Sequence, residues 1–366
     1  MLECRPGQTD YARVRDPGQL ERIRNSVSCA LEAKPHIFRA GNPGCTKPLI
    51  PMDLSVVIIN WNAADDTISC VHRIAAWQFL QPTVWVVDNA STDNSAEALV
   101  QACPDVNLIH NTVNRGFAGG TNQGIVKSLA KGNEPLLLLN NDALIDEQDV
   151  IKLLETLSRH ERIGFVGPLI FSAEKKDQLI SAGSKNPVLH HQTRVRHYDS
   201  RLGFQSVESL SGTAVVVRAA VFREAGLLDE AYFFSTEMAD LCARAKKKGF
   251  LCVVNTEARA FHVLSRSSDF RNTLYTYYII RNRFLYIRKF YHHLRKMGLN
   301  FFWGLYSITL IIKLVLSGHY PTANAVFLGL KDGISGQFGG QNERVLAVCN
   351  RSVVGAWKPG RVGRRS

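Results

Sequence analysis

The sequence lacks several features that would assign it to a familiar class of protein. None of its eight cysteines forms a C-x-x-C pair, and this spacing argues against a zinc site or a disulfide framework. Residues 1–26 contain no apolar run of the kind found in a secretory signal. No internal repeat is found. From these absences we expect free thiols and a cytoplasmic protein.

Acidic residues are absent from one long segment. The chain has 44 Lys and Arg against 32 Asp and Glu, a formal net charge of +12. Such an excess favours anionic partners: nucleic acid, lipid headgroups or phosphorylated substrates. Between positions 270 and 331 there is no Asp or Glu but nine Lys or Arg, interleaved with aromatic residues. The segment is therefore the candidate surface for an anionic partner.

An apolar stretch at 301–318, interrupted by Lys313, lies within that segment. Its presence favours a membrane surface over nucleic acid, and no nucleic acid partner is expected. A spanning helix needs about 20 apolar residues, so we predict an interfacial arrangement on the cytoplasmic face, with Arg and Lys meeting anionic headgroups. The alternatives are a helical lid on the rest of the protein or a dimer interface, and a homo-oligomer is considered.

Changes in composition and periodicity along the chain predict four regions. Residues 1–51 are rich in Pro, Gly and charge without a sustained period, and we predict an extension outside the fold. Residues 52–269 are predicted to form the main α/β domain. Residues 270–340 are predicted to form the basic, aromatic and apolar helices, and residues 341–366 a basic tail.

Apolar, β-rich runs alternate with helical patterns after Met52. The runs lie at 54–59, 83–88, 106–110, 135–140, 163–167 and 250–255; helices are expected at 64–79, 95–103, 121–130, 147–160 and 235–249. This alternation predicts a Rossmann-like, mostly parallel sheet with helices on both faces. Residues 172–210 are polar and are expected to be irregular. Ligands of such sheets bind at the carboxyl ends of the strands.

Polar residues follow the first strands at that edge. Asp88 can accept a hydrogen bond from the imide N–H of uracil or thymine, although a turn with a helix cap explains it equally well. In the segment NRGFAGGTNQG (114–124), glycines let the backbone approach a diphosphate, while Arg115 and the helix start supply positive potential. The segment does not read G-x-G-x-x-G, so a dehydrogenase fingerprint is excluded.

Carboxylates at two further places are candidates for chemistry. Asp142, with Asn140 two positions earlier, can supply hard oxygen ligands to Mg²⁺ or Mn²⁺ bound by a diphosphate; an Asx turn is the alternative. His262 follows a strand and is a candidate metal ligand. Glu237 and Asp240 share one face of a predicted helix, where either can act as a general base or simply complement the helix dipole.

Taken together, these segments resemble family 2 glycosyltransferases of the GT-A fold, especially the bacterial rhamnosyltransferase-like members. The matching segments are VVIINWN (56–62), VVDNASTD (86–93), NRGFAGGTNQG (114–124), LLLLNNDA (136–143), SGTAVVVRAAVFREAGLLDE (211–230), TEMADLCARAKKKG (236–249), FHVLSRSS (261–268) and YYIIRNRFLYIRKF (277–290). The resemblance covers roughly residues 54–290. It implies inverting transfer from a dTDP-, UDP- or GDP-linked sugar to a glycan or lipid-linked acceptor in cell-surface polysaccharide synthesis.

The resemblance also implies roles for individual residues. Asp88 would contact the nucleobase, Asn140 and Asp142 occupy the D-x-D positions, and His262 matches a C-terminal ligand of the metal or diphosphate. The nucleotide-sugar-binding residues would be Asn60, Asn62, Asp88, Asn89, Arg115, Gly116, Gly119, Asn122 and Asn141. The cofactor would be Mg²⁺ or Mn²⁺.

The chain departs from the family pattern at two positions. Asn140 leaves the metal with one carboxylate, and Met238 stands where the family usually has the aspartate that serves as base. Glu237 is then the preferred base and Asp240 the second candidate. The competing interpretations are a catalytically inactive relative that binds a nucleotide-sugar or glycan, and a basic nucleic-acid-binding protein.

Overall fold

The apolar runs of the sequence form the centre of one large sheet. The computed structural model describes residues 53–132, 134–263 and 269–355, so the predicted extension 1–51 lies outside the described residues. The described strands are β1 (Ser55–Asn60), β2 (Thr83–Asp88), β3 (Asn107–His110), β4 (Leu136–Asn140), β5 (Ala143–Ile145), β6 (Ile163–Ser172), β7 (Leu179–Ser181), β8 (Phe204–Val207), β9 (Ala214–Val217) and β10 (Leu251–His262).

Helices connect these strands and extend beyond them. In the described part of the chain they are α1 (Ala64–Ala75), α2 (Ser95–Ala102), α3 (Gly116–Ala130), α4 (Glu147–Ser158), α5 (Ala219–Ala225), α6 (Glu237–Lys247), α7 (Asp269–Phe290), α8 (His293–Leu316), α9 (Tyr320–Ser335) and α10 (Asn342–Gly355). A short 3-10 helix (Glu230–Tyr232) precedes α6.

The strand order is β3-β2-β1-β4-β9-β6-β10-β5, with β7 paired to β6 and β8 paired to β10. Strands β1 to β4 are mutually parallel, whereas β9 lies antiparallel between β4 and β6. Alternate residues of a strand point to opposite faces, so Val56 and Ile58 enter one apolar cluster while Val57 enters the other. The predicted α/β sheet with helices on both faces is confirmed.

Two predictions about loops and tails are corrected. The segment 172–210, expected to be irregular, contains β7 and β8, whose short lengths give too few residues for a recognisable period. The predicted tail 341–366 begins with α10, whose Val345 and Cys349 are buried in an apolar cluster with Leu274 and Tyr277 of α7. Residues 356–366 lie outside the described part.

Three basic residues of α7, Arg281, Arg283 and Lys289, bind partners within the protein, whereas Arg288 is exposed. Arg281 is fully buried and Arg283 nearly so. Arg283 donates to the carbonyl of Pro187 and stacks on Trp303 of α8, 4.0 Å from the ring centroid. Lys289 lies 2.6 Å from Asp229 and also contacts Asp240. Because Arg281, Arg283 and Lys289 are bound within the protein, the expectation that they meet lipid headgroups is wrong. The sequence did not indicate this, since their anionic and carbonyl partners come from distant parts of the chain.

Helix α8 presents the opposite arrangement, with apolar side chains on its exposed side. Its length and mean hydropathy of 1.7 would allow it to cross a membrane, and 11% of its most apolar window is buried in the protein. Trp303 and Ser307 face the protein. Exposed apolar side chains recur at intervals of three or four, at Leu294, Met297, Phe301, Leu305, Ile308, Ile312 and Val315, and Phe302 and Leu316 beside them are exposed as well.

Candidate functional site

The polar strand ends predicted from the sequence meet at one edge of the sheet. The register pairs Asn60 of β1 with Asp88 of β2, and Ile59 with Asn140 of β4. Because these strands are parallel, their carboxyl ends and the loops that follow lie side by side. This edge is the candidate site.

Asp88 is fully buried and its carboxylate is surrounded by donors. Asn60 donates to Asp88 Oδ1 over 2.9 Å, and the Ser91 hydroxyl donates to the same oxygen over 2.5 Å. His110 Nδ1 lies 3.0 Å from Oδ2, with its ring half exposed. Asp88 therefore organises the groups around it, and its predicted direct contact with a nucleobase stays a prediction.

Sequence reasoning missed His110 and Ser91. His110 ends β3, and its position in the register is opposite Asp88. The same rule that selected Asn60 and Asp88, a polar residue at the last position of a parallel strand, therefore also indicates His110. Ser91 carries no comparable signal, because its contact depends on the path of the turn after β2.

Two asparagines join the loops of the site. Asn62, with φ of +51°, accepts from the Thr92 N–H over 2.7 Å and so fastens the loop after β1 to the loop after β2. Asn141 donates to Thr67 over 2.9 Å, and Thr67 in turn donates to Asn60 over 2.9 Å. Both predicted residues lie in the site and fix its shape.

Asn89 holds the glycine-rich segment in place. Its amide donates to the Gly116 carbonyl over 3.0 Å, and its side-chain oxygen accepts from the Arg115 N–H over 3.0 Å. Helix α3 begins at Gly116, whose φ of +69° favours glycine; an added Cβ would lie 2.3 Å from the carbonyl oxygen of Phe233. The N–H groups of Gly116 and Ala118 are bound by Asn114 Oδ1 over 2.8 Å and by the Phe233 carbonyl over 3.3 Å. The exposed Arg115 and the helix dipole therefore supply the positive potential at this point, which suits an anionic group.

Gly119 and Asn122 lie on the side of α3 that packs against residues 228–230. A Cβ on Gly119 would approach Arg115 to 2.8 Å and the Glu230 carboxylate to 3.2 Å. Asn122 exchanges two hydrogen bonds with the Leu228 backbone, of 2.9 and 3.0 Å. The structure gives both residues a packing role, and their predicted contact with a donor stays a prediction.

Asp142 and His262 come together at the end of β10, where His262 pairs with Ala143 of β5. His262 Nε2 lies 3.1 Å from Asp142 Oδ1, and neither atom has a hydrogen-bond partner of good geometry although both are buried. Two unsatisfied, metal-ligating atoms at this distance fit a shared divalent cation. Among the described residues no group of three or more His, Cys, Asp or Glu surrounds one point, so phosphate and water oxygens would complete such a shell.

Glu237 is the first residue of α6 and is buried. Its Oε2 atom has no hydrogen-bond partner. Burial, with a smaller contribution from the negative charge of Asp240, raises the pKa of Glu237 to about 7, against the effect of hydrogen bonds from two backbone N–H groups. A carboxyl group with a pKa near neutral pH and an unused oxygen suits a general base.

Asp240 lies one turn further along α6 and is fully buried in an ion-pair network. Arg244 donates to Asp240 Oδ2 over 2.6 Å, Tyr232 donates to Oδ1 over 3.2 Å, and Lys289 contacts Oδ1 as well. These contacts hold the Asp240 carboxylate within the fold. Its predicted catalytic role stays a prediction.

Met238, at the position usual for the family's base, is part of an apolar cluster with Leu228 and Leu241. A Cβ on Gly212 would touch the Phe117 ring at 2.9 Å and Met238 at 3.5 Å. Phe117 and Met238 directly follow Gly116 and Glu237, so the beginnings of α3 and α6 are close neighbours. The glycine-rich segment and the candidate base therefore belong to one site.

Comparisons with known proteins agree with this geometry. Residues 55–226 match the family model described as glycosyl transferase family 2. The chain is 29% identical over 213 residues to the N-acetylglucosaminyl-diphospho-decaprenol L-rhamnosyltransferase of Mycobacterium tuberculosis, covering 51% of this chain and 68% of the relative. It is 26% identical over 214 residues to the dTDP-rhamnosyl transferase RfbF of Shigella flexneri, covering 56% and 71%.

A solved structure of similar fold is the mannosyltransferase PcManGT from Pyrobaculum calidifontis, in complex with GDP-Man and Mn²⁺. The TM-score is 0.51 with 12% sequence identity, and the alignment covers 93% of this chain and 89% of that one. At this identity the likeness concerns the fold.

Proposed function

Because residues 55–226 form a family 2 glycosyltransferase domain and the protein is a nucleotide-sugar glycosyltransferase, we propose that it inverts the anomeric carbon as it transfers the sugar to an acceptor hydroxyl. The observation that carries this proposal is the buried Glu237, whose pKa is raised to about 7 beside the start of α3. An inverting transfer needs one base of this kind opposite the leaving group. The acceptor is a glycan or a lipid-linked sugar.

The donor binds with its diphosphate at the start of α3. Arg115 and the positive end of the α3 helix dipole face the phosphate oxygens, because a helix start favours negative charge. Asp142 and His262 would hold Mg²⁺ or Mn²⁺, with Asn140 as the further oxygen of the D-x-D positions. When bound, the cation neutralises negative charge on the diphosphate. Asn60, Asp88 and His110 then lie on the side of the nucleoside.

Glu237 removes the proton from the acceptor hydroxyl. The acceptor oxygen forms a bond to the anomeric carbon while the bond from that carbon to the diphosphate oxygen breaks, and the nucleoside diphosphate leaves with the electron pair. General-base assistance of this kind contributes about 10²–10⁴ in rate. Since the base must be ionised, activity is expected to rise with pH through about 7.

Rhamnose is the first sugar to test. Two relatives carry rhamnosyltransferase names, and one of these specifies a dTDP-linked donor. UDP- and GDP-linked sugars are the alternatives, since Asp88 and His110 alone do not distinguish the nucleobases.

The protein acts as a peripheral protein at the cytoplasmic face of the membrane, through α8. Trp303 fastens one side of α8 to the protein by donating to the Val188 carbonyl over 3.0 Å, while the apolar residues on the other side are exposed. Exposed Arg295 and Lys313 flank these apolar residues. A helix held along one side, with an apolar opposite side edged by cations, lies in the interface of an anionic bilayer.

A transfer assay tests the proposed function. Purified protein is incubated with dTDP-rhamnose, UDP-sugars or GDP-mannose, with Mg²⁺ or Mn²⁺, and with a polyprenyl-diphosphate-sugar acceptor, and the product is followed by mass spectrometry. Transfer with inverted anomeric configuration is expected for one donor. Met238 favours a second candidate, an inactive binder, and this is the outcome if a donor raises the melting temperature while no sugar is transferred or hydrolysed.

A further inference from the structure

The loop before Glu237 has an unfavourable backbone conformation. Phe233, Ser235 and Thr236 have φ of +63°, +68° and +77°. Non-glycine residues rarely adopt this region, and three of them within four positions persist only where surrounding contacts enforce the conformation. The loop leads directly into α6, since the Thr236 carbonyl accepts the helical hydrogen bond from Asp240 over 3.0 Å.

The enforcing contacts come from one residue pair of α7. The Asn282 amide donates to the carbonyls of Tyr232, Phe234 and Ser235 over 3.2, 2.9 and 2.7 Å. Arg281 donates to the Tyr232 carbonyl over 2.8 Å. Asn282 and Arg281 are fully buried. Asn282 thus binds two carbonyls within the loop, those of Phe234 and Ser235, and together with Arg281 it binds the Tyr232 carbonyl just before the loop.

The amide of Asn282 is itself held in one orientation. Its Oδ1 atom accepts from Arg281 Nε over 3.0 Å and from Arg281 Nη2 over 2.8 Å. The Arg281 guanidinium lies over the rings of Tyr277, Tyr278 and Phe338, at 5.5, 4.7 and 5.8 Å from their centroids. This packing leaves the Asn282 N–H groups directed at the loop.

The same loop contacts the candidate donor segment. The Phe233 carbonyl accepts from the Ala118 N–H over 3.3 Å, in the first turn of α3. Gly116 lies against the Phe233 ring and carbonyl, where no Cβ fits. The loop therefore joins the start of α3 at one end and Glu237 at the other.

We propose that Asn282, oriented by Arg281, is a positioning residue of the transfer reaction: it holds the 233–236 loop in the conformation that fixes and buries Glu237. The positioning role rests on the proposed function, in which Glu237 is the base. Asn282 touches neither donor nor acceptor and acts through the backbone that it binds.

Burial of Glu237 gives the positioning role a measurable consequence. The charged and titratable groups around it are Asp240, with its partners Arg244 and Lys289, and Tyr232. The ion pairs of Asp240 with Arg244 and Lys289 do not involve Asn282, so we expect them to persist when the loop loosens and water reaches Glu237. Its pKa is expected to fall from about 7 toward the ordinary value of 4.5.

The test compares Asn282→Ala with a matched control, Asn255→Ala. Asn255 is also a buried asparagine. It donates to Thr156 over 2.9 Å and accepts from two backbone N–H groups of the turn at 257–258, both over 2.8 Å. Both variants therefore lose a comparable set of hydrogen bonds, but only those of Asn282 bind the loop before Glu237.

Three measurements are made on each variant: the pH profile of kcat, the Glu237 titration by ¹³C NMR of carboxyl-labelled glutamate, and hydrogen exchange of the amides of residues 233–238. Assignment uses Glu237→Gln. For Asn282→Ala we expect faster exchange, a Glu237 pKa lower by at least about one unit, and a kcat lower by roughly 10- to 100-fold. For Asn255→Ala we expect a lower melting temperature and none of these three changes.

Two results overturn the proposal: wild-type values for Asn282→Ala, or equal changes in both variants, which would mean general destabilisation. If Asn282→Ala does not fold, Asn282→Ser, which keeps one donor, is measured by the same criteria. Failure of the proposed function gives a different result from failure of the positioning role. A wild-type protein that transfers no sugar fails the assay, yet amide exchange and the Glu237 titration still report whether Asn282 holds the loop.

Discussion

Glu237 is a carboxylic acid in surroundings that favour its neutral form. A pKa of about 7, above the ordinary 4.5, means that the folded protein binds this proton more tightly than the unfolded chain does. The contribution of Glu237 to stability is therefore most favourable at low pH and declines as pH rises from about 4.5 to 7. A base that is ready near neutral pH is thus one whose ionisation destabilises the fold.

This argument predicts that Glu237→Gln is more stable than wild type at alkaline pH. Glutamine keeps the shape but cannot ionise, so the stability difference in favour of the variant should be about 2 kcal/mol larger at pH 8.5 than at pH 5.5. Urea unfolding at the two pH values measures it. Transfer should fall by about 10²–10⁴ while donor binding persists. A stability difference independent of pH would contradict the assigned pKa.

Asp142 and His262 give a second prediction at the residue scale. Asp142→Asn and His262→Ala should each weaken Mn²⁺ binding in the presence of nucleotide by at least the roughly 10- to 100-fold that loss of an outer partner costs a metal site. Calorimetric titration of Mn²⁺ measures the affinity. Asp105→Asn, an exposed carboxylate outside the site, is the control. Unchanged Mn²⁺ affinity in both variants would show that Asp142 and His262 do not bind the metal.

The beginnings of α3 and α6 assemble the site. The sequence predicted the surroundings of α3 better than the contacts made by α6. Strand ends and the glycine-rich turn were predictable, because parallel topology places such residues at one edge. The contacts of Asp240 were not, since Lys289 is 49 residues away in the sequence and Tyr232 belongs to a short 3-10 helix that no pattern in the sequence indicates. A carboxylate three residues from the base looks catalytic until its partners are known.

The ion pairs of Asp240 lead to a prediction for α6. Asp240→Asn leaves Arg244 and Lys289 without their shared carboxylate, which should lower the free energy of unfolding by roughly 3 kcal/mol or less, since both cations are partly exposed. Urea unfolding checks this against Asp199→Asn, which breaks an exposed pair with Arg201 and should leave the free energy of unfolding nearly unchanged. A stable variant with transfer reduced as far as in Glu237→Gln would give Asp240 the role of base.

At the scale of the molecule, the resemblance to family 2 glycosyltransferases and the class of activity predicted from the sequence are confirmed by the family match and the relatives. The sequence predicted the C-terminal helices as a basic and apolar segment. It did not predict that several of the basic side chains would face the protein interior. Buried cations need partners, and those of α7 come from a loop at Pro187 and from Asp229, which no local pattern indicates. The exposed side of α8, in contrast, follows directly from helical periodicity.

That exposed side gives the last prediction. The double variant Phe301→Asp, Leu305→Asp should lose binding to liposomes containing anionic lipid, because burying a large apolar side chain contributes about 1.5–3 kcal/mol and two are removed. Co-sedimentation with liposomes at low and high salt measures the effect. Phe79→Asp changes an exposed phenylalanine of the α/β domain and should leave binding unchanged. Unaltered liposome binding with a smaller assembly in light scattering would make α8 a dimer interface, and wild-type protein that resists alkaline extraction would make it a membrane span.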